Sequence, residues 1–525
     1  MGRQITIRGD GLGRLCLAQG IGLAARAIAP SLGPKGRAVL LHRPPAAPSL
    51  LTHGYDIARE MAASCRGPEV HGARILKETL FEVDRDLGDG TSAVAVMMAS
   101  IVSGAVTMAH AGIDMHELAE ALLELVPALK TQVRSCHVNA PREEVALAVA
   151  RTAARDADIA RRIASLSLEL GDDAVIQVQE GEGREIETDT RPGTTIEAAL
   201  VSRSLSDEPD RIQVRLKDPY VLVADEEISD FGSLLPVLEG FAAKRKALLI
   251  VARDVTGSAL QALVRNKTEA GLRVAALKVA SVAERAYDAL EDLAIATGAE
   301  LLSDRLGTDL RKMRPQMLGR ADEAKIEQSF TTVIGGSARG GALETRRREI
   351  RLRIARERYL SYDREQLELR LARLSRGFAR LHVGGVTAAD RSVRLTSARK
   401  AVAALQAARD GVVPGGGTVL LRLASALVRG HGQDTARRGA NRLAYEALRR
   451  IPATMIGNAG EDPPLWLGRI EDARKAGDGL DLETMAFGDL RQAGILDPAV
   501  VLGGTIERAF SAAATLLRAD LLISA

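Results

Sequence analysis

Residues 87–93 read LGDGTSA and open an apolar helical segment. Glycine on both sides of Asp89 lets the backbone approach a ligand closely. The free N–H groups and the dipole at a helix start attract an anion such as phosphate. Thr91 and Ser92 add hydroxyl donors, and Asp89 can hold Mg²⁺ against phosphate oxygens. The alternative is an ordinary Asp-Gly turn followed by a threonine helix cap, and this motif alone leaves both open.

Three further glycine-rich turns adjoin helical segments: SLGPKGR at 31–37, GVVPGGGT at 411–418 and GILDP at 494–498. Successive glycines cost conformational entropy, so they usually mark close approach of the backbone to another group. In the last turn, Asp497 can accept hydrogen bonds from ribose hydroxyls. Each turn alone can equally be a helix cap. The sequence has no GxxxxGK[ST] phosphate loop.

The pattern of the chain changes twice along its length. The first 135 residues and the last 115 are rich in alanine and aliphatic residues at helical spacing. The middle alternates β-branched runs with helical stretches, which is a βαβ pattern. Helices are predicted at about 15–28, 93–109, 115–133, 233–244 and 258–269, and strands at 39–41, 220–224, 247–252 and 274–279. The sequence therefore predicts a multidomain α and α/β fold, with an α/β domain inserted into a discontinuous all-helical domain.

The composition excludes several classes of protein. The 525 residues are 46% hydrophobic, 26% charged and 3% aromatic, which is globular and too apolar for disorder. The net charge of +3 is too small to argue for a nucleic-acid or membrane partner. Three distant cysteines and eight scattered histidines argue against a disulfide framework or a protein-built metal cage. Without a signal-peptide pattern or an uninterrupted apolar run of about 18 residues, we expect a cytoplasmic protein with no membrane span.

Seven arginines lie between residues 346 and 358. One interpretation is a phosphate-binding stripe for nucleic acid. We favour the solvated face of an amphipathic helix, because Ile350 and Leu352 contribute to an apolar side and no aromatic residues are interleaved to stack bases.

Seven segments are informative as an ordered set. They are SLGPKGR at 31–37, ARE at 58–60, GDGT at 88–91, LPVLE at 235–239, YDRE at 362–365, GVVPGGG at 411–417 and GILDP at 494–498. Together they resemble the group I chaperonins of the GroEL type. The similarity runs over nearly the whole chain with near-constant spacing, so it is far more specific than any single motif.

The resemblance implies three domains. They are an equatorial nucleotide-binding domain at 1–135 and 411–525, an intermediate hinge domain at 136–191 and 377–410, and an apical polypeptide-binding domain at 192–376, with hinges at Gly193 and Gly377. The implied function is that of a ring chaperonin, two stacked rings of seven, that binds non-native polypeptides and assists folding or prevents aggregation. The implied cofactors are ATP and Mg²⁺, and a co-chaperonin lid is a further implied partner.

By the same resemblance, one set of residues contacts the nucleotide, with Asp89 as the magnesium ligand. The set is Ser31, Leu32, Gly33, Pro34, Asp89, Gly90, Thr91, Ser92, Gly416 and Asp497. Two acidic positions of the family are replaced here, by His53 and by Arg399, which lies about a dozen residues before the 411–417 turn. Hydrolysis needs polar groups that orient water, so we expect ATP to bind and to be hydrolysed slowly or not at all.

The resemblance also implies a face that binds unfolded clients. The expected residues are Leu200, Leu205, Leu235, Leu238, Leu260 and Val264. Exposed aliphatic surface suits this role, since hydrophobic contact is non-directional. Because aromatic residues are few and Arg203 and Arg265 lie nearby, we expect weak binding with a preference for acidic clients.

Three functions stay open at this stage. The leading one is an ATP-binding ring chaperonin with impaired hydrolysis, and whether it is an ATPase is itself open. The second is an ATP-independent holdase or ring scaffold. The third is a nucleic-acid-binding derivative that uses the arginine-rich helix. A single ring is an alternative to a double one, because GEDPPLW at 460–466 departs from the family where rings contact each other.

Overall fold

The computed structural model describes the chain apart from a set of short segments. These are residues 1–5, 9–10, 43–48, 155, 172–174, 208–212, 233, 236–237, 239–245, 281–283, 309, 311–312, 328–329, 339, 358–360, 375–376, 429–433, 474–476, 520–521 and 525. The chain forms two compact units. The first comprises Met1–Leu168, Val178–Glu187 and His382–Ala525, and the second Glu169–Gln177 and Thr188–Leu381. The first unit is discontinuous in sequence, whereas the division into three domains stays a prediction.

The first unit is mainly helical. Its α-helices are Leu12–Ile28, Gly54–Ser64, Val70–Leu87, Thr91–His110, Met115–Ser135, Arg142–Ala153, Ala157–Leu170, Ala388–Ala407, Thr418–Val428, Thr435–Asn458, Pro463–Glu471 and Ala499–Leu517, with 3-10 turns at Ala29–Ser31 and Ala408–Asp410. Its strands form antiparallel pairs, Thr6–Arg8 with Leu522–Ser524, Val39–Leu41 with Ser49–Leu51, Val412–Pro414 with Leu496–Pro498, and Asp478–Leu480 with Phe487–Asp489. The predicted N-terminal helices and the strand at 39–41 are confirmed.

The core of the first unit surrounds the helix Thr91–His110. This helix packs against Leu12–Ile28, Thr435–Asn458 and Ala499–Leu517. The buried side chains are almost all Ala, Leu, Ile, Val and Met, with the ring of Phe510 among them. Small side chains let helices approach closely, which fits the low aromatic content of the chain.

Three helices of this unit, Leu12–Ser31, Thr91–His110 and Ala499–Leu517, are long and apolar enough to cross a membrane by length and composition. An uninterrupted apolar run is too strict a criterion for them, because Arg14, Ser103 and Thr505 interrupt the three runs in turn. In this structure all three contribute side chains to the core of the unit.

The second unit contains a six-stranded sheet. The strand order is Leu301–Leu302, Tyr220–Ala224, Leu248–Ala252, Val274–Val279 and Ala198–Leu200, and Gly319–Arg320 also pairs with Tyr220–Ala224. The first four strands are mutually parallel, and the other two pairings are antiparallel. Every residue of Leu248–Ala252 is buried, as expected for a parallel strand covered on both faces. The predicted strands at 220–224, 247–252 and 274–279 are confirmed to within one residue.

The remaining elements complete this α/β unit. An antiparallel sheet has the order Thr194–Ile196, Thr331–Ile334, Glu323–Ile326 and Val214–Lys217, and Glu227–Ile228 pairs with Asp254–Val255. The helices are Gly257–Ala270, Glu284–Thr297, Ala342–Arg356 and Ser361–Leu374, with 3-10 turns at Arg203–Leu205, Asp304–Leu306 and Pro315–Met317. A further sheet has the order Val175–Glu180, Gly377–Val383 and Ile186–Pro192, and the residues of each of these strands are divided between the two units. The helix predicted at 258–269 is confirmed, and that at 233–244 lies mostly outside the described residues.

The arginine-rich segment forms the helix Ala342–Arg356, but not all of its arginines are solvated. Arg347 is buried and donates from Nε (3.0 Å) and Nη2 (2.6 Å) to the Leu374 carbonyl. Arg346 pairs with Asp292 at 2.9 Å. Burial lowers the pKa of Arg346, but the hydrogen bond and the charge of Asp292 outweigh it and raise that pKa. The prediction of a solvated basic face was therefore wrong for these two arginines, because their partners lie elsewhere in the sequence.

Candidate functional site

The helix Thr91–His110 begins at the LGDGTSA motif with an uncapped end. Gly88 (φ 69°) and Gly90 (φ 87°) have left-handed conformations, and Gly90 is the N-cap residue. The N-cap is therefore not a threonine, and no side chain satisfies the first N–H groups from that position. Thr91 is only 1% exposed, and its Oγ1 has no hydrogen-bond partner among the described residues. A buried hydroxyl without a partner is costly, so this helix start has the character of an anion site.

Gly54 packs against the start of the helix Thr91–His110. It is the first residue of the helix Gly54–Ser64. A methyl group at Gly54 would lie 2.7 Å from Ser92 Oγ, 2.8 Å from Thr91 Oγ1 and 2.9 Å from the Ser92 nitrogen. Only a glycine allows the backbone to approach these donors so closely.

His53 directly precedes Gly54 in the sequence, and it is 7% exposed. Its Nε2 lies 3.1 Å from Asp84 Oδ1, and its Nδ1 lies 3.7 Å from Asp56 Oδ2. His53 thus lies between two carboxylates, those of Asp84 and Asp56. Of these, Asp84 was not identified from the sequence.

The turn that contains Ser31 meets the same helix start. Ser31 Oγ donates to the Ile28 carbonyl (2.7 Å) and lies 3.0 Å from Ser92 Oγ. Asn458 Nδ2 donates to two backbone carbonyls of the 29–32 turn, at 2.9 Å each. The predicted residues Ser31 and Ser92 are therefore in contact, and Asn458 holds their turn in place.

Met455 joins two of the glycine-rich turns. A methyl group at Gly33 would lie 2.9 Å from Met455 Cγ, and one at Gly417 would lie 3.1 Å from Met455 Cε. The turns at 31–37 and 411–418 therefore both pack against the Met455 side chain, which no sequence pattern indicates. The other predicted residues of these turns are Leu32, which is partly buried, Pro34, which is exposed, and Gly416, which abuts Leu490.

Asp497 brings a second carboxylate close to Asp89. It lies in the strand Leu496–Pro498, opposite Val413, and a methyl group at Gly415 would lie 3.3 Å from its Cγ. Burial, and then the charge of Asp89, raise the pKa of Asp497 from 3.8 to about 6. A methyl group at Gly90, next to Asp89, would lie 3.6 Å from Val501 Cγ1, four residues after Asp497. The segments that carry these two acidic residues, more than 400 positions apart in the chain, are thus packed together.

Replacing Asp497 with Asn should stabilise the nucleotide-free protein near neutral pH. The folded-state pKa of Asp497 lies above its unfolded value, so its ionisation destabilises the fold progressively as pH rises from about 4 to about 6. The variant should gain up to about 3 kcal/mol in free energy of unfolding at pH 7.5. Urea denaturation at pH 4 and pH 7.5 measures this, and the gain should shrink towards zero at pH 4. An equal gain at both pH values would show that packing, not ionisation, is responsible.

The structure places Lys400, rather than Arg399, next to the LGDGTSA motif. Lys400 Nζ lies 4.0 Å from Asp89 Oδ1, whereas Arg399 is exposed. One turn further along the helix, Ala403 contacts Gly88, at which a methyl group would lie 2.5 Å from the Ala403 Cβ. No local sequence signal distinguishes Lys400 from the other polar residues of this helix.

The donors and acceptors present fit a nucleotide with Mg²⁺. The uncapped helix start and the Thr91 hydroxyl suit phosphate oxygens. Carboxylate oxygens such as those of Asp89 and Asp497 are ligands that Mg²⁺ prefers, together with phosphates and water. Across the described part of the chain, no group of three or more His, Cys, Asp or Glu is arranged to hold a metal ion.

A model of the TCP-1/cpn60 chaperonin family matches residues 24–525, a range that includes every turn described above. The chain belongs to this family. Membership supports a chaperone role, and chaperonins in general bind ATP with Mg²⁺, take polypeptide substrates and form rings. The match is to the family as a whole, with which the GroEL-type resemblance is consistent.

The predicted client-binding residues of the chaperonin lie in its second unit and differ in exposure. Leu235 is 39% exposed, whereas Leu205 and Leu238 are 0% and 4% exposed and belong to a core cluster. The partly buried residues that pack against the same cluster are Leu200, Leu260 and Val264. In this conformation Leu205 and Leu238 are core residues, because they fill space beneath the six-stranded sheet. The client-binding role of the others stays a prediction.

The predicted hinge glycines of the chaperonin adjoin strands. Gly193 has a left-handed φ of 104° and lies between the strands Ile186–Pro192 and Thr194–Ile196. Gly377 is the first residue of the strand Gly377–Val383. Their role as hinges stays a prediction.

Proposed function

We propose that this chaperonin is a cytoplasmic ATP-binding ring subunit that binds non-native polypeptides, assists folding or prevents aggregation, and hydrolyses ATP slowly. The observation that supports ATP binding most directly is the buried Thr91 Oγ1, unpartnered within the described residues, at the uncapped start of Thr91–His110. A nucleotide phosphate would satisfy this hydroxyl and the first N–H groups together. Ser31 and Ser92 offer two more hydroxyls beside it.

The carboxylates of Asp89 and Asp497 are suitable ligands for the Mg²⁺ that accompanies a nucleotide. When bound, Mg²⁺ supplies positive charge that offsets the charge of the phosphates. Asp89 and Asp497 would hold it, and their mutual repulsion, which contributes to the raised pKa of Asp497, would be relieved. Cation binding should therefore favour the ionised form of Asp497.

Slow hydrolysis follows from the surroundings of His53 and Arg399. Both ring nitrogens of His53 face carboxylates, of Asp84 at 3.1 Å and of Asp56 at 3.7 Å. Asp56 also pairs with Arg59 at 3.1 Å, so both acids lie beside basic side chains instead of being free to orient a water molecule. Arg399 is exposed and adds no carboxylate. Because hydrolysis needs a group that positions the attacking water, we expect a long-lived ATP complex.

Restoring both carboxylates should raise ATP turnover. The double variant His53→Asp, Arg399→Asp is expected to release phosphate about tenfold faster or more than the unmodified chain, because an added carboxylate can orient water. Single-turnover and steady-state phosphate release with Mg²⁺ measure this, after calorimetry has established ATP binding.

The matched control is the double variant His53→Asn, Arg399→Asn, which removes the same side chains without adding carboxylates. It should leave turnover slow. Rapid turnover by the unmodified protein would contradict impaired hydrolysis. Calorimetry that detected no ATP binding with Mg²⁺ would remove the nucleotide site and leave an ATP-independent holdase or ring scaffold.

Client binding can be tested at Leu235, whose side chain is exposed. Leu235→Ser should weaken the suppression of aggregation of a denatured client, because it removes exposed apolar surface. Its free energy of unfolding should change by less than about 0.5 kcal/mol. Leu238→Ser should instead cost about 3 kcal/mol, since a hydroxyl would replace a buried side chain. Light scattering with the client and urea denaturation measure the two effects.

Leu306 supplies the control, because it is an exposed leucine of the same unit outside the predicted face. Leu306→Ser should leave suppression unchanged. Equal suppression by Leu235→Ser and the unmodified protein would exclude Leu235 from the client-binding face.

A further inference from the structure

The ammonium group of Lys400 lies beside the carboxylate of Asp89 at the candidate site. Lys400 Nζ lies 4.0 Å from Asp89 Oδ1, and both side chains are partly exposed. The helix that carries Lys400 is packed against the motif, because Ala403 contacts Gly88 one turn further on. The ammonium group is therefore held near Asp89 by the packing of its helix, and it remains accessible to a ligand.

The carboxylates near Lys400 indicate how this lysine can affect the binding of nucleotide phosphates. Asp89 and Asp497 converge, and the charge of Asp89 contributes to the raised pKa of Asp497. Two carboxylates repel the phosphates of a nucleotide unless a cation lies between them. A lysine ammonium is a compact charge with three donors on a flexible stem, so it can pair with Asp89 and also contact a phosphate oxygen.

We propose that Lys400 is a built-in counter-ion that contacts the nucleotide phosphates and reduces the dependence of ATP binding on Mg²⁺ in this chaperonin. The inference rests on the proposed function, since it requires ATP to bind at this site. Lys400 competes with a divalent cation for Asp89. It therefore strengthens the binding of metal-free ATP and reduces the advantage that Mg²⁺ brings.

The test compares ATP affinities, by calorimetry on the full chain, with Mg²⁺ and with excess EDTA. In the unmodified protein the ratio of the metal-free to the Mg²⁺ dissociation constant should be at least about tenfold smaller than in Lys400→Gln. Lys400→Gln should weaken metal-free binding by about tenfold or more, the loss expected when a charge-assisted hydrogen bond is removed. Binding with Mg²⁺ should be unchanged or tighter in this variant. Lys400→Arg, which keeps the charge, should recover part of the metal-free affinity.

Lys130 provides a matched control, because its ammonium pairs with Glu507 at 2.6 Å in the same unit. Lys130→Gln should leave both affinities unchanged, and thermal denaturation checks that both glutamine variants are folded. If Lys400→Gln weakens binding equally with and without Mg²⁺, or in neither condition, the inference is wrong while the nucleotide site stands. If the unmodified protein binds ATP in neither condition, the nucleotide site and this inference both fail.

Discussion

Replacing Asp89 with Ala is expected to weaken the binding of ATP in the presence of Mg²⁺ by about 100-fold. Asp89 lies at the glycine turn before the helix Thr91–His110 and is one of two converging carboxylates. Without it, a hydrated cation loses a direct oxygen ligand. The same change should leave the binding of metal-free ATP unchanged or tighter, since it removes a negative charge near the phosphates. Calorimetry with Mg²⁺ and with EDTA separates the two effects.

Asp86 is the control for this experiment. It lies three residues earlier, is exposed, and pairs with Arg85 and Arg508 at 2.7 Å and 2.6 Å. Asp86→Ala should leave ATP affinity unchanged in both conditions. Equal affinity of the Asp89→Ala variant and the unmodified protein for ATP with Mg²⁺ would exclude Asp89 as the magnesium ligand.

The largest effect on stability is expected at Gly20. This residue lies where the helix Leu12–Ile28 meets the start of Val70–Leu87, and a methyl group on it would overlap the backbone carbonyl of Glu69. Backbone atoms cannot move aside as a flexible side chain can, so Gly20→Ala should separate the two helices. We expect a loss of about 3 kcal/mol or more in free energy of unfolding, at the upper end of the range for overpacking.

Gly22, two residues further along the same helix, is the matched control. A methyl group there would have no atom within 4 Å. Gly22→Ala should therefore stabilise the protein by about 0.5–1 kcal/mol, because alanine favours the helix. Urea denaturation of both variants measures the difference. If both changes stabilised the protein, the close approach of the two helices at Gly20 would be excluded.

Elements with strong local patterns were predictable from the sequence. The strand Leu248–Ala252 is a run of aliphatic residues, and the helix Thr91–His110 follows a glycine turn and is apolar along its length. The convergence of the turns at 31–37, 88–91, 411–417 and 494–498 follows from the resemblance to a family, since no single turn specifies its partners. The membership is then shown by the match over residues 24–525.

Contacts between residues far apart in the chain were not predictable. Met455, Asn458 and Lys400 join the site through tertiary packing, and nothing in their local sequence distinguishes them from other helical residues. The burial of Arg347 was missed for the same reason, because its acceptor is the carbonyl of Leu374. The pairing of His53 with Asp84 depends on how two helices are placed, which periodicity does not specify.

The discontinuity of the first unit has a consequence for the synthesis of the protein. Residues 169–381 separate most of its N-terminal part from its C-terminal part. At about 5–20 residues per second, a ribosome needs roughly 10–40 s to cross that interval. During this interval, and until Ala499–Leu517 has itself been synthesised, the apolar faces of Thr91–His110 and Met115–Ser135 lack the helix against which they pack. A nascent subunit therefore exposes aggregation-prone apolar surface until Ala499–Leu517 has emerged.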